Sequence, residues 1–204
     1  MSLIKSISGI RGTIGGKVDD NLTPVDVVKF TAAFGTWLQK TQNKKELTLV
    51  IGRDARISGA MVNSLVTATL QGLGINVVDL GLSTTPTVEV MVPELNADGG
   101  IILTASHNPK QWNALKLLNE KGEFISGKDG AEMLEIAEKE DFNFAEVDDL
   151  GKYETRTDAF DIHIQKILNL PMVDVEAVKA KKFKVVLDAV NSTGGISLPP
   201  LLEK

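Results

Sequence analysis

Ser106 and His107 stand side by side in Thr104-Ala105-Ser106-His107-Asn108-Pro109, directly after the apolar run Gly100-Ile101-Ile102-Leu103. Pro109 restricts Asn108 to extended or turn conformations, so a tight loop follows the strand rather than a helix. A hydroxyl at the carboxyl end of a buried strand lies where open α/β sheets bind their ligands. Serine in that position is a candidate nucleophile. The histidine beside it is of a type that suits phosphate binding or proton transfer. The bland alternative is a surface loop in which Ser106 bonds its own backbone and His107 and Asn108 order the turn. A Ser–His hydrolase is a third reading. Neighbouring side chains on a strand point to opposite faces, so that reading needs a sharp turn between the two.

Several cations could serve an anionic ligand near Ser106. Lys116 lies on the segment leaving the loop, where its ammonium could return toward the serine to neutralise charge or help deprotonate an attacking hydroxyl, the bland alternative being a solvated strand lysine. Arg11 sits between Gly9 and Gly12, which allow close backbone approach, and its planar fork suits phosphate. Arg53 and Arg56 flank Asp54 just before Ser58, where a helix start and two guanidiniums could hold an anion. An internal Arg–Asp pair that organises the domain explains them equally well. His163 has apolar neighbours, Ile162 and Ile164, and reads as a packed or solvent-facing residue. Gly72-Leu73-Gly74 precedes a strand, whereas a dinucleotide fingerprint follows one, so it carries no cofactor.

Three ordered stretches share one resemblance. Thr104 to Pro109 with Trp112-Asn113-Ala114-Leu115-Lys116 resembles the active-site serine loop of the α-D-phosphohexomutases, among them phosphoglucosamine mutase, phosphomannomutase and phosphoglucomutase. Ser8-Gly9-Ile10-Arg11-Gly12 is similar to that family's amino-terminal segment, and Gly52-Arg53-Asp54-Ala55-Arg56-Ile57-Ser58-Gly59 to its strand-to-helix turn. Ala114 departs from the glycine usual there. The resemblance implies that Ser106 is a phosphoserine exchanging phosphate between hexose 1-phosphate and 6-phosphate through a sugar 1,6-bisphosphate. It places His107, Lys116 and Arg11 in the active site, with Asn108, Arg53 and Arg56 in support. It also implies Mg²⁺ bound through the Ser106 phosphate, its aspartate ligands belonging to a loop this sequence lacks. Phosphoglucosamine leads the expected substrates, with phosphomannose and phosphoglucose behind it, and the family leaves room for a homodimer. A non-catalytic binding module that keeps the fold is the rival from another class.

The elements that must position these residues read as an α/β alternation. Thr23-Pro24 and Asp26 mark a helix start, and Val27, Phe30, Phe34, Trp37 and Leu38 recur at helical spacing. Residues 47–51 form a short β-rich apolar run, a buried strand. Ser58 is expected to cap a second helix with Met61, Leu65, Ala68 and Leu73 on its apolar face. A strand over 75–80, a helix over 87–95 stopped at Pro93, and the strand at 100–104 follow. A hairpin of 114–118 with 122–125, a charged helix over 129–140 and a solvated acidic connection over 138–149 complete this unit. The alternation predicts a three-layer α/β/α domain with a mixed sheet over 1–152. Residues 153–204 read as a linking helix over 155–170 and the opening of a second, similar domain: a strand at 184–188, a glycine turn and one helical turn. Such a piece cannot bury both faces, so the chain is expected to be an amino-terminal fragment, inactive alone.

The composition fits this outline. With 204 residues and 43% hydrophobic, the chain can fill one packed core and begin another. A net charge of -5 gives no broad basic footprint, so nucleic acid is not an expected partner. No apolar run is long enough to span a membrane. The absence of cysteine excludes disulfides and thiolate chemistry and fits a cytoplasmic location.

Overall fold

The computed structural model describes residues 2–6, 9–42 and 44–204, so Ser8 of the amino-terminal motif lies outside the described residues. Seven strands form one mixed sheet: β1 (Ile4–Ser6), β2 (Gly9–Thr13), β3 (Thr48–Arg53), β4 (Asn76–Leu82), β5 (Gly99–Leu103), β6 (Trp112–Leu118) and β7 (Tyr153–Thr155). Their spatial order is β1-β2-β6-β5-β3-β4-β7. β5, β3, β4 and β7 run parallel, while β6, β2 and β1 each pair antiparallel with their inner neighbour. The helices are α1 (Pro24–Gln42), α2 (Gly59–Gly72), α3 (Thr85–Glu94), α4 (Gly127–Lys139), α5 (Ala159–Leu168), α6 (Val175–Ala180) and α7 (Gly194–Leu202).

The expected three layers are present. α1, α2 and α4 bury Phe30, Phe34, Leu38, Val62, Val66, Leu70 and Met133 against Leu49, Ile51, Ile101 and Leu117 of the sheet. α3 and α5 cover the opposite face, where Val88, Met91, Val92 and Ala159 meet Val50, Ile102 and Leu118. Alternation along each strand divides its residues between the two cores. α1 begins as read: the Thr23 N–H donates to Asp26 Oδ2 (3.0 Å), and the Thr23 hydroxyl donates to the same oxygen. No helix of the described residues is long and apolar enough to cross a membrane.

Several sequence expectations are corrected. The buried face of α2 carries Val62, Val66, Thr69 and Leu70, whereas Met61 and Ala68 are exposed. The stripe is displaced because Thr67 and Thr69 return their hydroxyls to the Asn63 and Leu65 carbonyls (2.9 and 2.7 Å), which lets threonine be buried. Ser58 makes no side-chain cap. Its Oγ accepts instead from Asn113 Nδ2 (3.0 Å), tying α2 to β6. The second strand of the expected hairpin is absent; a single bridge joins Leu118 to Phe124. Asn119 Oδ1 takes the Lys121 and Glu123 N–H groups (3.0 Å each), so a side chain closes that turn.

The helix expected from 155 begins at Ala159, because residues 153–155 pair with β4 as β7, just past the expected division at 152. Residues 184–188 form no strand and are exposed, with no neighbouring strand to complete a ladder. Beyond them α7 runs for nine residues, longer than the single turn expected. In the acidic connection, Phe142 packs on the main core while most of its neighbours are exposed.

Candidate active site

The chain order creates a topological switch beside β3. α2 carries the chain from β3 to β4 on one face, and α3 returns it across the other face to β5, on the far side of β3. The loops after β3 and β5 therefore meet at the carboxyl ends of two adjacent parallel strands, the crevice where open α/β sheets bind ligands. The first loop holds Asp54 and Arg56, the second Ser106 and His107.

Ser106 has φ +53°, the left-handed region that L-residues enter at a cost of roughly 1–2 kcal/mol. Arg56 offsets that cost. Its Nη2 donates to the Ser106 and Asn108 carbonyls (2.7 and 2.8 Å), and its Nη1 to the Pro109 and Trp112 carbonyls (2.9 and 3.0 Å). Its Nε donates to Asp54 Oδ2 (3.1 Å). All five guanidinium N–H groups are thereby engaged, in a fork geometry that lysine cannot reproduce. Asp54 Oδ1 accepts the Arg56 backbone N–H (3.0 Å), and Oδ2 also accepts the Thr104 hydroxyl (2.5 Å). Thr104 Oγ1 in turn accepts the Ser106 N–H (3.1 Å). An unbroken chain of hydrogen bonds thus runs from the serine backbone to the β3 loop. Arg56 is spent on the loop carbonyls, which is the domain-organising role weighed above rather than an anion site.

The remaining residues separate by sheet face. Arg11 pairs with Ala114, and Ile102 with Lys116, so Arg11 and Lys116 lie on the α3 side of the sheet. Arg11 is exposed, and no hydrogen bond or ion pair holds its guanidinium among the described residues. Ala114 beside it keeps that approach open with the smallest side chain after glycine. The Lys116 ammonium lies 5.7 Å from the centre of the Phe124 ring. It opposes the burial that raises the pKa of the Glu89 carboxyl on α3, and it does not line the Ser106 cleft. Arg53 falls on the other face, with Nη1 on the Asp54 carbonyl (3.3 Å) and its side chain over Gly59 at the start of α2. His107 and Ser106 are exposed, and no hydrogen bond joins them, so the geometry of a Ser–His hydrolase is not formed.

Ser106 opens onto a cleft of about 260 Å³ shared with Asp54, Thr104, Ile102, Ser83, Thr85, Ser192 and Thr193. Sequence reading missed Ser83 and Thr85. The signal available was Ser83-Thr84-Thr85-Pro86, a capping pattern at the carboxyl end of β4. Thr84 does cap α3, accepting the Thr87 N–H (3.3 Å). His163 is half-buried against α3, its Nδ1 3.0 Å from Thr87 Oγ1, the packed one of the two readings offered for it.

The fold agrees with that of known proteins. Residues 3–144 match the family described as phosphoglucomutase/phosphomannomutase, alpha/beta/alpha domain I. A phosphoglucomutase/phosphomannomutase of Thermococcus kodakarensis is 36% identical over 95% of this chain and 42% of its own length. A phosphoglucosamine/phosphogalactosamine mutase of Sulfurisphaera tokodaii is 34% identical over 98% of the chain and 42% of its length. Among solved structures, a phosphoglucomutase (parafusin) from Paramecium covers 99% of the chain with a TM-score of 0.74 at 18% identity, a likeness of fold. The chain belongs to the phosphoglucomutase/phosphomannomutase family and carries the first α/β/α domain of that family. It spans about two-fifths of the length of the curated relatives it matches.

Proposed function

We propose that this chain is the phosphoryl-carrying part of a phosphohexomutase, with Ser106 as the phosphoserine. The observation that carries the reading is Ser106 itself, held in a left-handed conformation by Arg56 at the switch point of the sheet. The free 1- or 6-hydroxyl of a hexose monophosphate attacks the phosphorus on Ser106. The new O–P bond forms as the Oγ–P bond breaks, the sugar hydroxyl gives up its proton to a base, and Ser106 Oγ regains one. The resulting sugar 1,6-bisphosphate turns round and returns its other phosphoryl group to Ser106, so hexose 1-phosphate and 6-phosphate interconvert. Alignment and charge neutralisation dominate such transfers.

Roles follow from position. Arg11, exposed on the cleft face of the sheet and unpaired among the described residues, binds sugar phosphate. His107, exposed beside Ser106, holds phosphate oxygens or moves the proton. Lys116 reaches the transferring group only by leaving Phe124. Asn108 shapes the loop through its carbonyl on Arg56, while Arg53 supports the start of α2 rather than the phosphate. Phosphoglucosamine is the first substrate choice, with phosphomannose and phosphoglucose behind it; relatives bearing all three activities in their names support the class. The division into a phosphoserine domain over 1–152 and the opening of a second over 153–204, a cytoplasmic location and a homodimer belong to the same reading.

Mg²⁺ is the cation proposed for the Ser106 phosphate. The residues of this chain do not by themselves fit it. Asp54 is the one carboxylate lining the cleft, and both of its oxygens are already engaged by Arg56, with Thr104 sharing one. No group of three or more metal-type side chains converges among the described residues. The other ligands are assigned to the part of the longer relatives that this chain does not span, and the 204-residue chain alone is expected to show no turnover.

Exposure of the full-length protein to a hexose 1,6-bisphosphate, followed by intact mass and peptide mapping, tests the reading. A phosphate-sized gain on Ser106 is expected. No gain, or a gain on another residue, would overturn it.

A further inference from the structure

Ser83 is 3% exposed, and its Oγ is buried with no hydrogen-bond partner among the described residues. A buried hydroxyl left unpaired is unfavourable by about 1–3 kcal/mol, so proteins rarely keep one without a use. The position is well defined: the Ser83 N–H donates to the Arg53 carbonyl (2.8 Å), and Gly52 beneath it is packed so closely that a Cβ there would lie 3.0 Å from Ser83 Cβ. Ser83 lines the same cleft as Ser106.

Two helix amino termini meet at that cleft. Thr85 opens the ten-residue α3, and the Thr85 N–H has no acceptor among the described residues. Ser192 and Thr193 precede the nine-residue α7, and Thr193 makes no side-chain cap to it, leaving that hydroxyl uncommitted. Both helices present the positive ends of their dipoles to the cleft. No lysine or arginine lines it, and the charge of Asp54 is already paired with Arg56. A cleft built this way suits an anion held by neutral donors.

Resting on the reading of Ser106 as the phosphoserine, we infer that the Ser83 hydroxyl, with the amino termini of α3 and α7, forms a cradle for the phosphoryl group while Ser106 stores it. Ser83 donates to a phosphoryl oxygen, which supplies the acceptor it otherwise lacks. The hydrogen bond exists only in the phosphorylated state, so the orphan hydroxyl favours loading of Ser106.

The test compares the full-length protein with its Ser83→Ala variant, each unphosphorylated and after loading with a hexose 1,6-bisphosphate. The expected result has three parts. The unphosphorylated variant melts no lower than the parent, since it loses only an unpaired group. Its gain in melting temperature on phosphorylation is smaller, and its ³¹P phosphoserine resonance is shifted. Half-loading requires about tenfold more bisphosphate, the size of one lost hydrogen bond to a charged group. An unchanged resonance and loading curve would overturn the cradle while leaving the Ser106 phosphoserine intact, the hydroxyl then serving only a trapped water. An unphosphorylated variant that melts several degrees lower would also overturn it, because Ser83 would then be structural. If the parent acquires no phosphate on Ser106, the cradle and the mutase reading fall together.

Discussion

Ser106 and Arg56 divide the work of the site between chemistry and geometry. Ser106 carries the hydroxyl, but its backbone sits in a region that L-residues avoid. Arg56 spends its four Nη donors on the loop carbonyls that hold it there and its Nε on Asp54, which leaves no donor for a ligand anion. Arg56→Ala is expected to destabilise the domain by about 2–3 kcal/mol, since several charge-assisted hydrogen bonds are lost and Asp54 is left without its ion partner. Arg56→Lys should recover less than half of that loss, because an ammonium cannot fork between four carbonyls. Chemical denaturation of the two variants checks both values; an Arg56→Lys protein as stable as the parent would contradict the bracing role. The serine, its loop and the flanking Asp54–Arg56 turn were all legible in the sequence. The direction in which Arg56 points was not, because its acceptors are carbonyls 50 or more positions away.

α3 is the element on which the cleft depends, and a single glycine seats it. A methyl group on Gly52 would lie 2.5 Å from Val88 Cγ2 and 3.0 Å from Ser83 Cβ, so Gly52→Ala must push the start of α3 away from β3. That overpacking should cost about 1–3 kcal/mol. Gly59→Ala meets nothing closer than 3.4 Å at the start of α2 and should be near neutral. Melting temperatures of the pair check the contrast. Helices with strong periodicity or capping signals, such as α1 and α4, were read close to their true spans, as were the apolar strands β3, β4 and β5. β1 and β2 escaped reading because Gly9-Ile10-Arg11-Gly12 has no β pattern of its own; pairing with β6 makes it a strand. β7 escaped for the same reason, being an exposed three-residue edge held by β4. Conversely, residues 184–188 have the composition of a strand and lack the partner that would make them one.

The molecule as a whole joins its carboxyl-terminal segment to the sheet through apolar packing of α5 and a few polar links, and the polar links shape its response to pH. Burial lowers the pKa of His163, whose Nδ1 meets Thr87 on α3. The folded state therefore prefers neutral imidazole. The stability this supplies is fully present above the unfolded value near 6.5 and is lost as pH falls toward the lower folded value. The melting temperature should fall between pH 7 and 5, and His163→Gln should flatten that part of the curve; an unchanged slope would contradict the linkage. Tyr153 behaves oppositely in the alkaline range. Burial and its hydrogen bond to Asp79 Oδ2 (2.8 Å) push its pKa up to about 12, so the β4–β7 link weakens as pH rises from 10 through 12.

The whole account depends on Ser106 storing a phosphoryl group, and turnover of hexose phosphate by the full-length Ser106→Ala protein tests it most directly. Loss of the hydroxyl should lower kcat by about a thousandfold or more, with the melting temperature held near that of the parent. Isomerisation at the parental rate by a folded Ser106→Ala protein would contradict it.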